Sequence, residues 1–572
     1  MVPADHPAVS IQGSLKRALR DMDSLCESIY DERARRLPIN RVISTPATPP
    51  ENAMANQLPK IKHIVQLMME NRSFDQMLGF LYADHGNKSL SGQDYEGLKG
   101  DETNPDEAGR PVRVYKITPD AAHAYLMPGA DPGEGFHNTN YQLFSTDDPD
   151  PGQVPTNDGF VVNFRAAINY DLAHRYGDTL PNTAPTQVMG MYAPETLPVM
   201  SALARGYAVC DMWFASAPTQ TLPNRAFAAA ATSQGHLDNK VKVFTCKSIF
   251  GQLSAAKLDW AIYGYNSPPL TRHDFPDTLH ADEGHFGHFR DFQRRAAAGT
   301  LPAYTFLEPS WTSSGNSQHP NYDVSLGEQL MHDVYRAVRD GPGWNGTLLL
   351  ITYDEHGGNF DHVPPPYGAV APDHSVGEFQ FAFDRFGVRI PALLISPLVA
   401  KGSVFRPAVG VVDHTSVLKT IEVRWGLDPL TKRDAAAPSL GDVLTLKAGR
   451  DDDVLRGISI PKSSEAHPNH AKPSLLERLH AEKVAALPVR NPQGSYAHEQ
   501  PALTTSGELG EYIQARTAAW VEHKARQAGR RAYRVMTSTA TAGKPIAKKN
   551  AVRNGVGKKT SPRKTSVDKN LR

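Results

Sequence analysis

The sequence predicts an α/β fold with a mostly parallel central sheet, and three observations predict it. Several runs of strand length are apolar, helical patterns alternate with them, and clusters of polar residues follow them directly. Thr347–Tyr353 (TLLLITY) is the clearest run, seven residues that are mostly β-branched or aliphatic. Such strands suit a sheet covered on both faces, usually a parallel one. Ser325–Val338 (SLGEQLMHDVYRAV) has helical spacing and leads straight into that run, the helix-then-strand order of a doubly wound sheet.

Along the chain, residues 1–57 read as an N-terminal extension. A helical piece is expected over Leu15–Arg36, and the Pro-rich run Thr45–Pro50 reads as a linker. Residues 58–445 hold the strand candidates Ile61–Met68, Gly206–Cys210, Thr347–Tyr353 and Val388–Ile395. Pro391 argues that the last is an edge or bulged strand. Pro223 suits the first turn of a helix, with Gly235 as its expected stop, and a further helix is expected over Ser416–Trp425. Residues 446–536 form a C-terminal extension whose helical stretches, Ser474–Ala486 and Glu508–Arg534, are expected to pack on the main domain as a cap or brace. Residues 537–572 hold ten basic residues and one acid, Asp568, with almost no large apolar side chains. Such a stretch cannot repay its ordering entropy and reads as a disordered, solvated tail, with an arm for anionic membrane or nucleic acid as the sharper alternative.

Composition narrows the function classes. With 40% apolar residues the chain builds a sizeable core, and 61 basic side chains balance 61 acidic ones. No global field draws it to nucleic acid, and no apolar stretch is long enough to span a bilayer. The three cysteines, Cys26, Cys210 and Cys246, lack metal-knuckle spacing and read as thiols, with room for one disulfide. The N-terminus has no basic segment followed by an apolar one, so the expected compartment is the cytoplasm, with signal-independent export as the alternative. Nothing in the sequence sets an oligomeric state.

The chemistry collects after the strands. Glu70-Asn71-Arg72 follows the first, Asp354-Glu355-His356-Gly357-Gly358 the third, and Asp211 then Thr219–Arg225 the second. Ligands of open α/β sheets bind beyond the carboxyl ends of the strands, so these chain-distant clusters are expected to converge. Adjacent Asp354 and Glu355 repel each other, and a divalent cation would relieve the repulsion, with Glu70 and Asn71 offering further oxygen ligands. Helix capping or pairing with Arg72 is the plainer alternative. Thr221 at a helix N-terminus would meet free N–H groups and the helix dipole, which favour a phosphate. A hydroxyl nucleophile needs a lowered pKa, which a metal supplies; an ordinary N-cap is the alternative. Arg225 would grip a phosphoryl oxygen or serve the fold. Of 22 histidines most are incidental; His319, His362 and then His414 stand out by their surroundings. The turn-rich segment Asp131–Asn140 is a substrate-facing loop or a surface turn.

Together ENRSFDQMLGF, PTQTLPNR, EPSW, QHPNYDVSLGEQL, TLLLITYDEHGGNFDHVPPP, GVRIPALLISP and DHTSVLKTIEVRWGL resemble, in this order, the bacterial phospholipase C / acid phosphatase phosphoesterase family. The resemblance implies an alkaline-phosphatase-like α/β/α sandwich. It implies metal ligation by Glu70, Asn71, Asp354 and Glu355, with Thr221 as nucleophile; Asn71 alternatively touches phosphate. His319 and His362 match histidine-bearing motifs of the family. Glu134 and Asn140 stand where many phospholipase members carry His, which brings the chain nearer the acid phosphatase branch. Thr221–Arg225 also fits the Cys/Ser-x-Pro-x-Arg spacing of sulfatases, but threonine cannot become formylglycine, so sulfatase activity is not expected.

The expected reaction is therefore a two-step displacement through a threonyl-phosphate, catalysed by Thr221, His319 and His362, with substrate contacts from Asn71, Arg225, Glu134 and Asn140. The expected cofactor is a divalent cation, and oxygen-rich ligation leaves zinc, calcium, magnesium and manganese all open. Three readings compete: phospholipase C action on phosphodiester lipids, with peripheral membrane contact; a broad phosphomonoesterase; and a non-catalytic membrane-binding protein that keeps the fold.

Overall fold

The computed structural model describes residues 56–174, 179–240, 244–465, 472–489 and 503–542. In chain order the main strands are β1 (His63–Met69), β2 (Ala208–Val209), β3 (Trp260–Gly264), β4 (Phe286–His288), β5 (Tyr304–Glu308), β6 (Thr347–Tyr353), β7 (Ala392–Ile395) and β8 (Ser403–Val404). They form one eight-stranded sheet in the spatial order β8-β2-β7-β6-β1-β5-β3-β4. β1 runs parallel to both β6 and β5, β3 is parallel to β5 and β4, and β8 is parallel to β2. Only β7 runs against its neighbours β6 and β2. The sheet is thus mostly parallel, as its uninterrupted apolar strands require.

All seven side chains of β6 are buried. Successive side chains point to opposite faces, so both faces of the sheet are covered. Val324–Arg339 packs with Pro198–Gly206 and Phe289–Ala297, and Thr415–Trp425 packs with Thr221–Ala230 and Lys432–Ala436. Both groups contribute to the core that holds the strands: Met331 and Val334 from the first, Val417 and Leu418 from the second.

Two local expectations change. Val388–Ile395 is not an edge strand: β7 has partners on both sides. Its ladder starts at Ala392, one residue past Pro391, so the missing N–H costs no ladder bond. The helix after Pro223 stops at Ala230 rather than Gly235, because Ala231 takes a left-handed φ of 57° and donates its N–H to the Phe227 carbonyl.

The C-terminal extension is docked. The helix Leu475–Ala485 starts from a capping box in which Ser474 Oγ accepts from Glu477 N (3.1 Å) and Glu477 Oε2 accepts from Ser474 N (2.9 Å). Lys483 Nζ pairs with Asp274 Oδ1 at 2.6 Å, with both side chains buried. Leu509, Ile513 and Trp520 of the helix Ser506–Ala542 pack on Ala481, Val484 and Leu487. That helix runs past residue 537, so its last turns occupy the start of the expected tail; residues 543–572, Leu15–Arg36, Thr45–Pro50 and Cys26 lie outside the described residues. Cys210 and Cys246 are free thiols. Among the described residues no helix is long and apolar enough to cross a membrane.

Candidate active site

The register of β1 against β6 builds the centre of the site. Met69 lies opposite Tyr353, so Glu70 and Asp354 leave the sheet side by side at its carboxyl edge. Asn71 then turns with φ 56°, a left-handed conformation that asparagine tolerates better than most residues. Asp354 Oδ1 accepts from the backbone N–H of Asn71 (3.1 Å) and of Glu355 (2.9 Å). The two loops touch because Gly357, at φ 61°, has no side chain: a Cβ there would lie 2.0 Å from the Asn71 carbonyl oxygen. Gly357→Ala is therefore expected to destabilise the protein by roughly 3 kcal/mol and to displace Asn71, read by urea denaturation and by lost activity.

Thr221 is the first residue of the helix Thr221–Ala230. Arg225, one turn on, shares its face. Its Nε donates to Asp354 Oδ2 (2.9 Å), its Nη2 donates to the Met69 carbonyl (3.1 Å), and its guanidinium stacks 4.7 Å from the Trp311 ring. One side chain thus ties the helix that starts at Thr221 to the ends of both central strands. Thr221 is buried, and its Oγ1 donates to Asn71 Oδ1 at 3.4 Å. The same Asn71 side chain donates through Nδ2 to Glu134 Oε2 at 2.6 Å. Asn71 therefore links the hydroxyl to a buried acid.

A cavity of about 180 Å³ opens here, lined by Glu70, Asp131, Glu134, Thr221, Trp311 and His319 together with residues of the C-terminal extension. Burial first, and then the Asp354 charge against the opposing pull of His319, brings Glu70 up to about 7. Burial and the facing carboxylates hold Glu134 and Glu355 well above the usual range. Glu70 Oε1 and Glu355 Oε1 are buried with no hydrogen-bond partner among the described residues. Unpaired buried carboxylate oxygens are costly. This donor set, all oxygen, fits a divalent cation. Asp354 already accepts three N–H bonds, and a carboxylate has about four acceptor sites, so it keeps one for a ligand role.

His319 faces the same cavity. Its Nδ1 lies 3.1 Å from the Pro320 carbonyl, and its Nε2 lies 4.0 Å from Asp131 Oδ2. Burial alone would depress this imidazole, but Asp131, Glu70 and Glu134 outweigh it and raise it above its usual value. Asp131, Glu134 and His319 also present ligand atoms within 4.8 Å of one another, a further place for a cation.

Glu70, Asn71, Glu134, Thr221, His319, Asp354 and Glu355 thus come together. Two expected residues do not join them. His362 Nδ1 bonds Asp75 Oδ2 at 2.7 Å inside a buried network in which Arg389 also pairs with Asp75 and Asp361, each at 2.9 Å. That network ties the loop after β6 to the segment after β1, and His362 is absent from the cavity wall. Asn140 donates to the Asp147 carbonyl at 2.9 Å and accepts from Arg385, so its carboxamide holds a loop. Arg225 serves mainly as the tie described above. His414 braces Asp354, its Nε2 lying 2.6 Å from that residue's carbonyl. Sequence reasoning misses Trp311, Tyr322 and Lys472 as pocket residues. The first two stand in motifs with other chemistry-bearing residues, and that adjacency is the available signal; Lys472 has none.

The sequence pattern described as "Phosphoesterase family" matches residues 61–428. Non-specific phospholipase C6 of Arabidopsis thaliana is 32% identical over 489 residues, spanning 81% of this chain and 87% of that protein. Phospholipase C A of Mycobacterium tuberculosis (strain CDC 1551 / Oshkosh) is 28% identical over 419 residues, spanning 65% of this chain and 74% of its own. Among solved structures, a protein in the alkaline phosphatase superfamily from Vibrio parahaemolyticus overlaps 42% of this chain and 64% of its own, at 13% identity and TM-score 0.28. With a match that runs through both central strands, the helix Thr221–Ala230 and most of the cavity wall, this chain belongs to the phosphoesterase family.

Proposed function

We propose that this phosphoesterase cleaves phospholipid phosphodiesters in the manner of a phospholipase C, through a covalent phosphate on Thr221. One observation carries the reading: the Thr221 hydroxyl lies 3.4 Å from Asn71 Oδ1 at a cavity also lined by the buried carboxyls of Glu70 and Glu134. The names of the Arabidopsis and Mycobacterium relatives support the substrate class.

In the first step Thr221 Oγ1 passes its proton to a carboxylate of the cavity wall and attacks phosphorus, the bond to the leaving alcohol breaks, and His319 gives the departing oxygen its proton from Nε2; in the second step that carboxylate returns its proton to Thr221 Oγ1. Asp131, Glu70 and Glu134 raise the affinity of His319 for its proton above that of an ordinary imidazole. Asn71 orients the hydroxyl through Oδ1. In the second step water attacks phosphorus, the bond to Thr221 breaks, and His319 takes a proton from the water. Burial excludes bulk water and strengthens each electrostatic contact. A divalent cation held by Glu70, Asp354 and Glu355, when bound, would supply positive charge that favours the deprotonated hydroxyl and offsets charge on the phosphoryl oxygens.

A second reading, a phosphomonoesterase, is favoured by one observation: Glu134, not a histidine, accepts the hydrogen bond of Asn71 Nδ2. Side-by-side rates on p-nitrophenyl phosphorylcholine and p-nitrophenyl phosphate decide between them. Faster turnover of the diester supports phospholipase action, and turnover of the monoester alone replaces it with the second reading.

A further inference from the structure

Trp311 stands in the loop after β5, at the carboxyl edge of the sheet, and is 3% exposed. Ser310 N donates to Asn316 Oδ1 at 2.7 Å and so fixes the loop beside it. The Arg225 guanidinium lies over the ring, 4.7 Å from its centroid. The ring also packs in a buried cluster with Leu222, Leu270, Leu476 and Leu479. The last two belong to the helix Leu475–Ala485 of the C-terminal extension, which the buried pair of Lys483 with Asp274 holds to the main domain. Trp311 is thus placed between that extension and Arg225.

Arg225 needs this neighbour. Its Nε donates to Asp354 and its Nη2 to the Met69 carbonyl, but its Nη1 is buried with no hydrogen-bond partner among the described residues. Unpaired buried N–H groups are costly. The face of an indole offsets part of that cost, because its quadrupole attracts a desolvated cation. Glu70 Oε1 is also buried without a partner, and the Arg225 charge already pulls the Glu70 carboxyl down against its burial. Without the ring face, Nη1 gains by turning to Glu70. A divalent cation would then compete with a guanidinium for that carboxylate, and Asp354 would lose the orientation that the Nε bond gives it.

We infer that Trp311 is a positioning residue for the cation site: its ring face keeps the Arg225 guanidinium on Asp354 and off Glu70, and Leu476 and Leu479 of the C-terminal extension hold the ring there. The inference rests on the phosphoesterase reading above and deepens it, because it puts a segment outside the matched span behind the proposed cation ligands.

The test compares the full-length protein with W311F, which keeps a ring face, with W311L, which keeps apolar contact without one, and with L476A/L479A. Each protein is freed of metal by chelation and titrated by calorimetry with zinc, calcium, magnesium and manganese(II) in turn, with no substrate present. W311L should bind whichever ion the wild type binds about tenfold more weakly, the scale of one desolvated cation–ring contact. W311F should stay within about twofold of the wild type, because phenylalanine also offers its face to a guanidinium. L476A/L479A should bind about fivefold more weakly, since the space left behind the ring lets it shift. Circular dichroism shows which variants are folded at the titration temperature, and W311M, apolar and equally without a ring, replaces W311L should that variant unfold. A structural role alone predicts a different grouping. Phenylalanine and leucine both leave part of the indole's volume empty, so both would weaken the fold and the binding alike. Equal loss in W311F and W311L, or L476A/L479A that binds as tightly as the wild type, overturns the inference and leaves the phosphoesterase reading standing. A wild-type protein that binds none of the four ions removes the cation from that reading, and the inference with it.

Discussion

Thr221→Ala is expected to lower turnover by roughly four orders of magnitude or more, the scale seen when a covalent nucleophile is removed. The fold should survive the change. Thr221 is buried at the start of its helix, but the deletion removes only a hydroxyl and a methyl, and the cap position is Gln220. Arg225 still ties that helix to Asp354 and to the Met69 carbonyl. The melting temperature is thus expected to move by a few degrees at most, and Thr221→Ser should retain measurable turnover, because it keeps an oxygen at the same place. Rapid acid quench of wild-type protein during turnover should show a phosphate adduct by intact mass, which Thr221→Ala lacks. Near-normal rates in the alanine variant would refute the nucleophile assignment.

Removing divalent cations is the second large effect. Chelated protein is expected to lose its activity, and a suitable divalent cation added back at about a hundred times its Kd should stabilise the fold by about 2.7 kcal/mol. The reason is the pair of buried, unpartnered oxygens of Glu70 and Glu355. Glu355→Gln keeps the shape but removes charge, so its melting temperature should respond weakly to the same cation. The pH dependence has a definite sign. Folded Glu70 holds its proton up to about 7 against a usual 4.5, so its contribution to the stability of the cation-free protein is full below about 4.5 and is lost as pH rises to about 7. Protons compete with the cation at that carboxylate, so cation-induced stabilisation should shrink as pH falls below about 7. A melting temperature indifferent to every divalent cation across that range would remove the cation from the account.

Part of the candidate site is legible in the sequence. Glu70 and Asp354 each follow a buried strand, and the loops at the carboxyl edge of a parallel sheet converge, so their meeting follows from strand order alone. Thr221 was readable from Pro223 and the alanine-rich run behind it, which mark a helix start. His362 was not readable correctly, because a histidine beside acidic residues in a loop after a strand serves equally as a pocket residue or as a partner of a buried arginine. Only Arg389, 27 positions on and 3.4 Å from its Nδ1, shows which. Asn140 misled in the same way: its burial beside Arg385 decides its role, and nothing local encodes that partner.

The sequence by itself determined the mostly parallel character of the sheet, four of its eight strands, the strand ends where the acids gather and the helix that starts at Thr221, because hydrophobic periodicity and turn chemistry act over a few residues. The tertiary structure alone decided which side of the Asp75–Arg389 network His362 serves, that Arg225 ties the helix to the strands, and that Trp311 and Leu476 meet at the cavity. Those outcomes depend on packing between segments a hundred or more residues apart, and the free energy of such contacts is set by burial and charge that no local pattern carries.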